Sequence, residues 1–209
     1  MSSPPSAQSQ TLGEAEEARF PDTGEVFEQK YRIENLLGAG GYAKVYKARE
    51  LDLDREVAIK VLSPAVRNVE ASQSNTGSVE ALAIRFEREA KMISNLRSPY
   101  TVTMYEYGRT DQDLLYMVLE YIDGVTLNDA ETPMEPKRVA KILKQVLKSL
   151  HEAHSAGMLH RDLKPANIMV YEHLGENDQV KLLDFGIAKL IGESEREADR
   201  QSNHQDLTG

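Results

Sequence analysis

Strand patterning in the first third of the chain, helical patterning after it and a return of short strands near the end point to an α+β fold. Three runs rich in β-branched and aromatic residues, 31–37 (YRIENLL), 44–49 (KVYKAR) and 55–62 (REVAIKVL), read as strands. Helical spacing then governs 80–96 and, more strongly, 135–155.

The elements follow in order. Residues 1–28 are Ser-, Pro- and Gln-rich and then acidic, without apolar periodicity, and are expected to be a disordered tail, with order beginning near Tyr31. Residues 63–79 read as a polar loop or insertion. In 80–96 the stripe Leu82, Phe86, Ile93 and Leu96 also carries Glu89, and a carboxylate on a buried face needs a cation. Strands are expected near 101–107 and 114–121, with a hinge at 122–125 (IDGV). In 135–155, Val139, Ile142, Leu143, Val146, Leu147 and Leu150 line one side, and Gly157 suits the stop. Short strands at 167–171 and 179–183 follow, around polar loops.

Bulk properties exclude several classes. The 209 residues suffice for one sizeable core or two small lobes, and 40% hydrophobic with 28% charged residues fits a globular chain. No apolar run of about 18 residues is present, and the start, MSSPPSAQSQ, is not a secretory signal. Without cysteine there are no disulfides or thiolate metal sites, which fits a cytoplasmic setting. A net charge of -9 argues against nucleic acid as a partner.

Four motifs carry chemistry. The glycines of Gly38-Ala39-Gly40-Gly41-Tyr42-Ala43-Lys44-Val45 stand between two strands, where bare backbone can approach a phosphate; an ordinary hairpin turn uses the same residues. In Val57-Ala58-Ile59-Lys60, alternation puts Lys60 on the face of the small Ala58, where a flat ring could lie, with Glu89 as its natural partner. In His160-Arg161-Asp162-Leu163-Lys164-Pro165-Ala166-Asn167, one loop offers Asp162 to an acceptor hydroxyl, Lys164 to a transferring phosphate and Asn167 to a metal ion. Asp184-Phe185-Gly186 ends the apolar run VKLLD and offers a second oxygen ligand through Asp184.

In this order the motifs resemble the eukaryotic-type (Hanks-type) serine/threonine protein kinases over residues 31–209, and the segment from Phe86 to Leu96 and the phrase VLEYIDGVTL look most like bacterial members. Lys164 points to the Ser/Thr rather than the Tyr branch, while Ala43 replaces the third glycine of the family's loop. The resemblance implies a bilobal protein-kinase-like fold: a complete β-rich N-terminal lobe (31–122) and the first part of a helical C-terminal lobe (123–209). It implies ATP and Mg²⁺ as cofactors and protein Ser/Thr hydroxyls as acceptors. Leu119 becomes the gatekeeper, the backbone of Glu120 and Ile122 bonds adenine, and Val45, Ala58 and Met169 sandwich it. Met104, Ile93, Phe185 and His160 become a hydrophobic column, and Thr208 a candidate phosphosite. The family pattern continues to an A-P-E motif that this sequence does not contain, so the chain is expected to be truncated within the activation segment, poorly stable and inactive alone. A nucleotide-binding scaffold without turnover, a small-molecule kinase of related fold and a non-enzymatic interaction domain stay as alternatives.

Overall fold

The computed structural model describes residues 19–40, 43–62 and 77–185, without the side chains of 77–83, 85 and 89. Strands β1 (Val26–Phe27), β2 (Tyr31–Ala39), β3 (Ala43–Glu50), β4 (Arg55–Leu62), β5 (Met104–Arg109) and β6 (Leu115–Glu120) form one antiparallel sheet in the order β1-β2-β3-β4-β6-β5. Helix α1 (Gly77–Ser94) links β4 to β5. A second, three-stranded sheet holds β7 (Gly124–Thr126), β8 (Ile168–His173) and β9 (Glu176–Leu182), with helix α2 (Pro136–Ser155) and a 3-10 turn (Pro165–Asn167) between β7 and β8.

The first sheet curls until its edges meet. Lys30, in the β1–β2 turn, lies 2.6 Å from Glu106 of β5, and Tyr31 donates to the same carboxylate at 2.9 Å. Phe27 packs edge-on against Tyr116 with ring centroids 5.1 Å apart. Alternation sends Tyr31, Ile33, Tyr46, Ala48, Val57, Ile59, Val61 and Val118 into the enclosed core. A second core joins Phe86, Ala90 and Ile93 of α1 to Ile142 and Val146 of α2 and to Ile168, Val170, Val180 and Leu182 of the small sheet. The two sheets part between Glu120 and Gly124. A Cβ on Gly124 would lie 2.6 Å from the Val170 carbonyl oxygen, so only glycine lets β7 close on β8 here.

Several expectations need correction. Residues 19–30, expected to belong to the tail, are held against the sheet: Phe27 buries its ring, and Gly24, Glu25 and Ile33 exchange backbone hydrogen bonds; residues 1–18 lie outside the described residues. The strand expected over 101–107 starts only at Met104: before it, Val102 N–H and Tyr100 C=O bond to Leu182 of β9, which pulls the backbone away from β6. The polar loop expected between 171 and 179 is mostly strand, because Leu174 and Gly175 take φ of 52° and 78°, the left-handed pair of a tight hairpin.

On α2 the buried face is Ile142, Gln145, Val146, Ser149 and Ala153, whereas Val139, Leu143 and Leu147 are exposed. The helix meets β9 through Ile142, Val146 and Leu150 in the second core and through hydrogen bonds from its two buried polar residues. Gln145 donates to the Asp178 carbonyl at 2.7 Å and accepts from Val180 N–H at 3.1 Å. Ser149 shares a 2.6 Å hydroxyl bond with Thr101.

Candidate active site

Between the two sheets lies a cavity of about 470 Å³. Its roof is Leu37, Gly38, Val45 and Ala58, its rear wall Leu119 to Ile122, and its floor Met169 and Leu183. Lys60 and Asp184 stand at one end, with Ala166 nearby. Register explains the roof: Val45 pairs with Lys60 across β3–β4, and Ala58 pairs with Leu119 across β4–β6. Lys60, buried in the sheet, sends its ammonium 2.5 Å from Asp184 Oδ1. That contact spans 124 positions of sequence.

The glycine segment is a hairpin. Ala39 faces Lys44 at its base, and Gly40 N–H donates to the Ala43 carbonyl at 2.8 Å. A Cβ on Gly38 would meet nothing within 4 Å, so this glycine relieves no crowding within the protein and leaves open space under the roof. Ala39 and Gly40 belong to the hairpin but not to the cavity lining, and Gly41 lies outside the described residues. The Lys60–Glu89 pair falls on a side chain outside the described residues, as do Gly186 and Thr208.

The polar loop after α2 wraps around Asp162. Lys164 Nζ lies 2.8 Å from Asp162 Oδ2. Asn167 Nδ2 donates to the Asp162 carbonyl at 2.8 Å and to Oδ2 at 3.0 Å, which leaves its Oδ1 as the end able to take a cation. Leu183 N–H bonds to the Asn167 carbonyl at 2.8 Å, so the loop and the segment bearing Asp184 are held side by side. Arg161 and Asp184 both adopt left-handed backbone, φ 58° and 47°, a strain that persists only where the surroundings enforce it.

His160 is part of that enforcement. Its Nε2 donates to the Leu183 carbonyl at 2.7 Å, and its ring packs on Phe185 at 4.8 Å between centroids. Phe185 and Ile93 are buried in one cluster, with Met104 packed against it. Burial pushes the His160 imidazole below its ordinary pKa, against the opposing pull of the Leu183 carbonyl and of Asp162 and Asp184. The unfolded chain therefore binds a proton that the folded chain refuses. Stability is full above the unfolded value, about 6.5, and is lost as pH falls below it. The melting temperature should drop between pH 7 and pH 5, and His160→Gln should flatten that drop.

One group was missed from the sequence. Lys181 of β9 is buried, with its Nζ 2.6 Å from Glu120 Oε1 and 3.3 Å from the Thr101 carbonyl. Glu120 Oε1 also accepts from Thr103 N–H at 2.6 Å. The signal was present: a lysine inside the apolar run VKLL must find an anion. The cavity also takes Val125, Thr126 and Asp129 from β7 and the turn after it.

A hard divalent cation fits this donor set. A carboxylate (Asp184) and an amide oxygen (Asn167) are ligands of the right kind, and two protein ligands suffice where phosphates supply others. Among the described residues no group of three or more His, Cys, Asp or Glu could hold a metal by itself.

The fold thus presents a cleft between two sheets, with a buried lysine facing a carboxylate at one end and an aspartate-bearing loop beside it. Residues 31–206 match the family described as protein kinase domain, and the chain belongs to that family. It is 42% identical over 179 residues to serine/threonine-protein kinase pkn3 of Myxococcus xanthus, covering 82% of this chain and 31% of that protein. It is 37% identical over 171 residues to serine/threonine-protein kinase PknB of Mycobacterium tuberculosis, covering 79% and 25%. The kinase domain of Mycobacterium tuberculosis PknI superposes with a TM-score of 0.62 at 27% identity, over 81% of this chain and 64% of that one. The chain thus spans about a third or less of these curated relatives. Among the described residues no helix is long and apolar enough to cross a membrane.

Proposed function

We propose that this chain supplies the nucleotide site and the transfer residues of a kinase that moves the γ-phosphoryl group of ATP to Ser or Thr hydroxyls of proteins. The observation that carries the reading is the Lys60–Asp184 contact at the end of a cavity with an apolar roof and floor. A lysine from the upper sheet and a carboxylate from the segment after β9 meet where a triphosphate tail would lie, and the remaining volume suits a flat base.

Asp162 orients the acceptor hydroxyl and takes its proton. Lys60 and Lys164 balance charge that develops on the phosphoryl oxygens. Gly38 and Gly40 let backbone N–H groups approach the phosphates, the Glu120 and Ile122 backbone bonds adenine, and Val45, Ala58 and Met169 close on its faces. Asn167 and Asp184 hold Mg²⁺, which when bound shields the phosphates. Lys164, beside Asp162, supports Ser/Thr rather than Tyr as acceptor.

The chain should bind Mg²⁺·ATP, and Lys60→Met should weaken that binding at least about tenfold, the order expected for loss of a charge-assisted contact. Phosphate from labelled ATP should appear on Ser or Thr peptides and not on Tyr peptides or aminoglycosides. Equal ATP binding by Lys60→Met, or label on the small molecules alone, would refute the assignment.

A further inference from the structure

The arm of residues 19–27 is attached to the curled sheet. Arg19 donates to Glu25 at 3.0 Å, and Asp22 N–H donates to the same carboxylate at 3.0 Å, which folds the arm on itself. Gly24 N–H bonds to the Ile33 carbonyl and Ile33 N–H to the Glu25 carbonyl, so the arm is stitched to β2. Pro21 is buried, and Phe20 packs against the core inside the sheet. The Phe20 ring lies beneath Lys44, with Nζ 4.4 Å from its centroid.

Lys44 occupies a consequential position. It pairs with Ala39 at the base of the glycine hairpin. Its neighbour Val45 points to the opposite face and lines the cavity together with Gly38. Gly38 has nothing within 4 Å of its Cβ position, and the nearest atom to that of Gly40 is the Ala43 carbonyl oxygen of the same hairpin, at 3.8 Å. These two glycines bring no side-chain packing that could hold the hairpin at one pitch, so a hold at its base matters.

We propose that the arm is a positioning element for the glycine hairpin and acts through Phe20 on Lys44. The ring holds the lysine, the lysine holds the start of β3, and Val45 and the hairpin keep the height over the cavity that a nucleotide requires. This rests on the nucleotide reading above, and it makes Phe20 and Lys44 positioning residues that never touch the nucleotide.

The test uses the intact 209-residue chain. Phe20→Leu keeps apolar volume and removes the ring; Lys44→Met keeps length and removes the charge. Both should speed amide hydrogen exchange over residues 36–47 relative to the rest of the sheet and raise the Kd for Mg²⁺·ATP about threefold, the scale of one exposed cation–π contact. Phe20→Trp and Lys44→Arg should return both quantities to the wild-type values. Exchange that is unchanged, or that rises evenly across the sheet, would overturn the proposal and leave Phe20 as packing alone. A wild-type chain that bound no Mg²⁺·ATP would sink the nucleotide reading, while the local exchange pattern would still decide whether the arm controls the hairpin.

Discussion

Asp162→Asn should lower kcat for peptide phosphorylation by about a thousandfold, within the range for loss of a general base, and leave Mg²⁺·ATP affinity within about twofold. The asymmetry follows from geometry. Asp162 contacts Lys164 and Asn167 but does not line the nucleotide cavity. An asparagine fills the same space and can keep the hydrogen bond from Asn167 through its carbonyl oxygen, yet it cannot accept a proton from the hydroxyl. The paired measurements are steady-state kinetics on a Ser peptide and calorimetric nucleotide binding. Retention of even a tenth of the wild-type rate would remove Asp162 from the proton-transfer step.

Lys181→Met should cost about 2–3 kcal/mol of stability, somewhat under the roughly 3–5 kcal/mol for breaking a fully buried pair by removing one partner. The discount reflects Glu120, whose side chain keeps 19% of its exposure and the hydrogen bond from Thr103 N–H. For a chain of this size that cost is a fall of about 5–10 °C in melting temperature. Nucleotide affinity should fall as well. Glu120 ends β6 at the rear wall of the cavity, and Lys181 stands three residues before Asp184, so the pair ties one end of the site to the other. The double variant Glu120→Gln/Lys181→Met should recover part of the loss, because no unpaired carboxylate is left. Scanning calorimetry of the two single variants and the double variant gives the coupling directly. Additive losses would mean that the pair does not act as a unit.

The legibility of the chain differed by element. β4 was readable to its ends, 55–62, because alternation, β-branching and flanking charges agree there. The span of α2 was readable within one residue, since the spacing of its apolar positions persists over five turns. Its buried face was readable in part: Ile142, Val146 and Leu150 pack inward as the spacing implies, but Gln145 and Ser149 are drawn in by hydrogen bonds to β9 and Thr101, and periodicity contains no information about such partners. The start of β5 was misjudged for the same reason: Tyr100 and Val102 have strand character, but their backbone bonds go to Leu182. The structured arm before Tyr31 escaped notice because two aromatic residues, Phe20 and Phe27, in an acidic stretch make no periodic pattern.

Residue chemistry and local backbone preference are written along the chain: which side chains can hold a proton, a cation or a phosphate, and which runs favour strand or helix. Those are short-range properties, and they suffice to mark Lys60, Asp162, Asn167 and Asp184 as candidates. Distances between them are long-range properties, set by how two cores pack. Lys60 and Asp184 meet because the curled sheet, α1, α2 and the small sheet share buried apolar surface, and the Glu120–Lys181 pair and the Phe20–Lys44 contact exist only once that packing has brought their strands and arm together.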